Sequence, residues 1–243
     1  MAEGMRLNKY LASCGVCSRR EADKLIEQGK VCINGKIALT GEKVNLHDQV
    51  TLNGKPLKMV ETKHVLAFYK PIGVTCTEKD KHAEKIIADL INYPVRVTYA
   101  GRLDKESEGL MILTNDGSLI DAMMKGANGH EKEYIVKVDK EITEGFLKAM
   151  AAGVYLKDLD ITTRQCEIKK IGKFTFQIVL TQGVNRQIRR MCQTLGFRVL
   201  SLKRVRIMNI LQGNVEPGKY RKIEGSELSA LYEACGLPKP KME

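Results

Sequence analysis

Asp104, Glu106 and Glu108 stand on alternate residues of "GRLDKESEGLMILTNDG", the stretch from Gly101 to Gly117. A carboxylate can attack carbon as a nucleophile, take a proton as a general base, or join others around Mg²⁺. The run that follows, "LMILT", is continuously apolar, which predicts a strand buried on both faces. Gly101 and "NDG" on its flanks are turn signals. Asp104 is therefore expected on a loop beside a rigid strand, a mounting that suits a reacting group. The plainer alternative pairs Asp104 with Arg102 or has it close a turn, with Glu106 and Glu108 solvated.

A second stretch carries the opposite charge. Between Gln182 and Val215 lie Arg186, Arg189, Arg190, Arg198, Lys203, Arg204 and Arg206, and no acid. "NRQIRRMCQTLG" reads as a helix with Ile188, Met191, Cys192 and Leu195 facing a core. At about 100° per residue, Arg189 falls on the edge of that stripe, and Arg190 points away toward solvent or a polyanion. A half-buried arginine needs an anionic partner. Whether Arg189 meets the acidic loop is not given by spacing.

Other elements must position these groups. "RLNKYLAS" and "SRREADKLIEQG" read as two short helices, the second opened by a capping box of Ser18 and Glu21 and stopped at Gly29. Asn34-Gly35 and Asn53-Gly54 predict tight hairpins. Arg19, Arg20 and Lys24 form a basic edge that suits phosphate contacts. "VETKH" reads as a linker. Beyond it, "VLAFYKPIGV", "EYIVKV", "FTFQIVL" (Phe174, Phe176, Ile178 and Leu180 inward) and "FRVLSLKRVRIMNI" read as strands. "ITEGFLKAMAAG" and "SELSALYEAC" read as helices, and "LPKPKME" as a frayed tail. Strands that outnumber helices and come in pairs predict an α+β fold with a mixed, mostly antiparallel sheet.

The 243 residues, 43% of them apolar, suffice for one large domain or for one domain and a small module, and a net charge of +11 points to a polyanionic partner. No apolar stretch reaches membrane-spanning length, and the first residues have no apolar leader core. The seven cysteines are expected as reduced thiols in the cytoplasm. Cys14 and Cys17 have no second ligand pair and no preceding strand, so they are read as packed residues between two helices. His47, His64, His82 and His130 are scattered. Dinucleotide, phosphate-loop and serine-hydrolase motifs are absent.

"GRLDKESEGLMILTNDG", "KEYIVKV" and "LTQGVNRQIRRMCQTLGF", in this order, resemble the bacterial RsuA/RluB/RluE/RluF family of ribosomal RNA pseudouridine synthases. "RLNKYLASCGVCSRREADKLIEQGKVCINGK" resembles that family's small RNA-binding domain, shared with a small-subunit ribosomal protein. "HEKEY", "NRQIRRMC" and "RVRIMN" resemble its RluF branch, which acts on 23S ribosomal RNA. The resemblance implies a pseudouridine synthase fold, with residues 1–62 as the RNA-binding domain and 63–243 as the catalytic domain. It implies that Asp104 is the catalytic carboxylate, that Tyr134 packs on the target base, and that Arg189 pairs with Asp104 through planar two-point geometry.

Pseudouridine formation exchanges a carbon–nitrogen for a carbon–carbon glycosidic bond with no net redox change, so no cofactor and no metal are expected. The target uridine must leave its helix. Arg102 is expected to fill the gap, with Arg19, Arg20, Lys24, Arg186, Arg190, Lys203 and Arg204 on the RNA-facing surface. The resemblance implies ribosomal RNA as the partner, with transfer RNA open as a second substrate, and the protein is expected as a monomer. Two rival readings stand: a Mg²⁺-dependent nuclease using all three acids, and a binding-only protein of the ribosome.

Overall fold

The apolar run after the acidic loop forms the strand Glu108–Thr114, buried from Gly109 onward. Its side chains alternate between two cores. Leu110 and Ile112 pack with residues of two helices, Gly117–Met124 and Gly225–Ala234. Met111 and Leu113 face Leu66, Phe68, Val74 and Leu103. Two apolar surroundings explain why this strand lacks the polar alternation of a half-exposed one. The computed structural model describes residues 4–77, 85–125 and 129–240; His82 and tail residues 241–243 lie outside them.

The strand belongs to a sheet whose path runs Glu167–Gly172, Thr175–Leu180, Lys132–Val138, Val199–Ile207, Glu108–Thr114, Val65–Lys70 and Tyr220–Lys222. Neighbours are antiparallel except where Val199–Ile207 lies parallel to Glu108–Thr114, with Lys203 opposite Glu108 and Arg204 opposite Gly109. Gly109 permits this join. Its φ is +110°, and a Cβ there would sit 2.2 Å from the Arg204 carbonyl oxygen. Only a residue without a Cβ fits. The parallel join carries the acidic loop to the face where Tyr134 emerges.

On the other half of the sheet, helices Glu144–Ala152 and Gln187–Thr194 bury Phe146, Met150, Ile188, Met191 and Cys192 against Val136, Phe176, Ile178 and Leu202. The expected inward alternation of "FTFQIVL" holds for Phe176, Ile178 and Leu180 but not for Phe174. Phe174 sits in the turn before the strand and is 38% exposed. The resulting architecture is α+β on a mixed, mostly antiparallel sheet.

Residues 7–57 close over a core of their own, built from Leu7, Leu11, Ala22, Ile26, Val31, Val44 and Val50. Ser18 and Glu21 form the capping box at the start of helix Arg19–Glu27. Asn34 (φ 51°) and Gly35 (φ 79°) make one left-handed hairpin turn, and Asn53 (φ 49°) and Gly54 (φ 76°) make the other. Cys14 and Cys17 lie between the two helices; burial pushes the Cys14 thiol up to about 11 and raises Cys17 as well. Neither is poised as a thiolate. No described helix is long and apolar enough to cross a membrane.

Candidate active site

Loop 101–107 is fastened before its acids act on anything. Lys70 ends the buried strand Val65–Lys70 and is itself fully buried. Its ammonium donates to the carbonyl oxygens of Pro71 (3.0 Å), Lys105 (3.4 Å) and Ser107 (2.7 Å). Burial pushes its pKa down, opposed by the charges of Asp104, Glu106 and Glu108. Gly73 N–H donates to Lys105 O at 2.8 Å, and Leu103 anchors the loop in the core. A loop held by two bonds to one buried cation, which a third bond ties to Pro71, is a rigid platform. Lys70 was legible as an oddity, a lysine closing "VLAFY", but no pattern marked its role.

The three acids then diverge. Glu108 accepts a hydrogen bond from the Tyr69 hydroxyl at 2.7 Å. Glu106 accepts one from Arg186 Nη1 at 2.8 Å, and that guanidinium holds its carboxyl below the usual range. Asp104 Oδ2 lies 3.7 Å from Arg186 Nη1 and 3.9 Å from Arg189 Nε. Arg189 Nη2 donates to Glu106 O and Ser107 Oγ, both at 3.1 Å. The expected two-point pairing of Arg189 with Asp104 is thus replaced. The guanidinium grips the loop through Nη2 and faces Asp104 only at ion-pair distance. Arg189 side-chain exposure is 15%, in keeping with its place at the stripe's edge. Arg186, which precedes helix Gln187–Thr194, adopts a left-handed backbone (φ 52°, ψ 32°), a cost of roughly 1–3 kcal/mol that such sites carry.

Asp104 opens into a cavity of ≈ 550 Å³ whose wall includes Arg102, Tyr134, Arg186, Arg189 and Arg204. The cavity thus gathers Asp104, Tyr134 and Arg189, which lie far apart in sequence. Tyr134 is half-buried and packs against two of the cores, so its ring is fixed from behind.

Other expected positions differ. The basic stretch from Gln182 to Val215 is compensated through space: Arg186 by Glu106, Arg190 by Asp158, Arg206 by Glu131 and Glu133. Arg190 does not face an open surface. It pairs with Asp158 and donates to Asn185 O at 3.0 Å. Arg204 is not on the surface either; it is 3% exposed, with Nε donating to Leu110 O at 2.7 Å. An arginine between strands finds carbonyls before it finds solvent. Lys203 points to the opposite face, its ammonium 5.0 Å from the Tyr69 ring centre. Arg19, Arg20 and Lys24 are exposed on helix Arg19–Glu27 and are not part of the cavity wall, and Arg19 makes a 3.5 Å ion pair with Asp121.

The chain has known counterparts. The model of the RNA pseudouridylate synthase family matches residues 64–194, and that of the S4 domain matches residues 5–50. The dual-specificity RNA pseudouridine synthase RluF of Escherichia coli K12 is 45% identical over 231 residues, covering 94% of this chain and 79% of the relative. Ribosomal large subunit pseudouridine synthase B of Bacillus subtilis is 32% identical over 232 residues, covering 93% and 95%. A crystal structure of a pseudouridylate synthase superposes with a TM-score of 0.69 at 27% identity, covering 93% of this chain and 99% of that one. A family model that spans more than half of the residues and a relative 45% identical over 94% of them show the family: the chain belongs to the RNA pseudouridylate synthase family.

Proposed function

We propose that the protein converts specific uridines of ribosomal RNA, in the 23S molecule, to pseudouridine in the cytoplasm, acting as a monomer. The observation that carries this reading is the placement of Asp104 opposite Arg186 and Arg189 in the cavity that Tyr134 lines. The target uridine leaves its helix, at a cost of about a few kcal/mol, and enters the cavity. Asp104, faced by the two guanidiniums, attacks the ribose carbon that bears the base or takes a proton from the neighbouring ribose carbon. The bond to nitrogen 1 breaks. The uracil turns against the Tyr134 ring, and carbon 5 bonds to the same ribose carbon as the Asp104 carboxylate leaves it or, on the other route, as Asp104 returns its proton to the neighbouring carbon. Carbon 5 releases its proton and nitrogen 1 gains one, so substrate and product are isomers and neither redox partner nor metal enters.

Residues 1–62 serve as the RNA-binding domain, with Arg19, Arg20 and Lys24 on phosphates, and residues 63–243 carry the reaction. Arg102, exposed at the cavity wall, occupies the space that the flipped base vacates. Arg102→Ala then slows turnover of folded RNA more than that of an unstructured oligonucleotide; equal losses on both would remove it from this role.

The reading is tested on RNA from cells that lack the protein. Ribosomal and transfer RNA are incubated with it, and pseudouridine is mapped by carbodiimide labelling and reverse-transcription stops. A new stop in 23S RNA is expected. Stops in transfer RNA alone would replace the substrate, and RNA cleavage abolished by a chelator would replace the reaction.

A further inference from the structure

The cavity has a second charged half that the proposed reaction does not use. Lys132 and Tyr134 project from one strand to the cavity side. Glu131 and Glu133, one residue out of phase, project to the other side, where Arg206 binds them at 2.9 and 2.7 Å. The alternation of the strand therefore sorts acids away from the cavity and leaves a lysine in it. Arg204, opposite Tyr134 in the ladder, adds a guanidinium to the same wall. Among the described residues Asp104 is the only acid on that wall, and it faces Arg186 and Arg189.

The donors of this half are incompletely used. Arg204 is 3% exposed, and its Nη2 has no hydrogen-bond partner. Gln182 Nε2, buried on the cavity wall, has none either. Lys132 donates to the His130 carbonyl at 3.2 Å. Burial and the nearby Arg204 guanidinium both push its pKa down. Among the described residues neither Lys132 nor Arg204 has a carboxylate partner. A buried, unpaired donor costs about 1–3 kcal/mol, more when charged, so a ligand that satisfies it is strongly favoured.

We infer that Arg204 and Lys132, with Gln182 as a neutral donor, form an anion subsite that holds a backbone phosphodiester of the target RNA strand. The inference rests on the RNA reading of the cavity. The groups offer donors only, so the ligand must present acceptors. A neutral uracil carbonyl would leave two desolvated cations uncompensated, whereas the non-bridging oxygens of a phosphodiester meet both charge and hydrogen bonding. A phosphate held here fixes the sugar of the flipped nucleotide relative to Asp104.

The test uses the full chain and a 23S fragment containing the mapped uridine. Tritium release from [5-³H]uridine in this RNA is measured first with wild type; no release overturns the isomerase reading and leaves the subsite to be decided by binding. RNA affinity is then measured against salt for wild type, Lys132→Met and Lys132→Arg. Lys132→Met is expected to weaken binding about tenfold and to lower the slope of log Kd against log salt by about 0.7–0.9. KM rises more than kcat falls, and Lys132→Arg keeps a slope near wild type. A merely structural lysine would leave the slope unchanged. Weakened binding with an unchanged slope would assign an uncharged acceptor and overturn the phosphate. Unchanged affinity and slope would remove the subsite altogether. Inorganic phosphate is added in a parallel arm at constant ionic strength. Thermal stabilisation of wild type but not of Lys132→Met by it would make free phosphate the ligand, overturning the phosphodiester.

Discussion

At the scale of residues, three acids on alternate positions have three fates, because one buried lysine and two arginines reach their loop from different elements. Glu108 holds Tyr69, Glu106 holds Arg186, and Asp104 alone faces the cavity. The alternation and the loop were legible in sequence, and so was an arginine on a stripe edge in need of an anion. The meeting of the two was not, since it depends on a parallel join between strands about 90 residues apart, as the Arg204-to-Leu110 bond shows. Arg189→Lys is expected to lower kcat about 100-fold with little change in melting temperature, because one ammonium cannot hold Glu106 O and Ser107 Oγ and still face Asp104. Kinetics and a thermal melt together check this. The hydrogen bond from the Arg186 guanidinium holds the Glu106 carboxyl below the usual glutamate range. A carboxyl lowered in the folded state contributes stability above its unfolded pKa and loses it as pH falls through the folded one. The pair is largely exposed, so about a few tenths of a kcal/mol is at stake. Arg186→Gln should raise the Glu106 pKa back toward the usual glutamate range, readable by carboxyl NMR.

At the scale of elements, the sheet is specified by local chemistry that often reads directly. The Ser18–Glu21 box, the two Asn-Gly turns and the doubly buried "LMILT" strand all appear as their sequences demand. Gly109 does not announce itself, because its constraint comes from the Arg204 backbone across the parallel join rather than from a turn. Gly109→Ala is expected to cost several kcal/mol and to yield insoluble or unfolded chain; a soluble variant with a wild-type melt would contradict the close approach. The "NDG" turn carries more than a turn. Asp116 is 8% exposed, caps helix Gly117–Met124 by accepting from Ser118 N–H, and accepts from the Tyr232 hydroxyl at 2.8 Å. Asp116→Ala removes the cap and strands that hydroxyl, with an expected loss of about 2–3 kcal/mol in denaturant unfolding.

At the scale of the whole molecule, a net charge of +11 correctly points to a polyanion, yet the densest basic stretch in the sequence is the one most consumed internally. Charge along a chain records how many cations there are; only the fold records which of them already have partners. Arg20 and Lys24 are exposed on helix Arg19–Glu27, as read from the sequence, while Arg19 pairs with Asp121. Arg20→Glu combined with Lys24→Glu is therefore expected to raise KM for folded RNA at least about tenfold while kcat stays within twofold, since neither group is on the cavity wall. The central claim is that Asp104 is the reacting carboxylate. It is tested most directly by following tritium release from [5-³H]uridine-labelled 23S RNA with wild type and Asp104→Asn, each shown to be folded and to bind that RNA. Carbon 5 must lose its hydrogen in the reaction, so wild type should release one tritium per product and Asp104→Asn should be slower by about 10³-fold or more. Release by Asp104→Asn at a rate within tenfold of wild type would contradict the account.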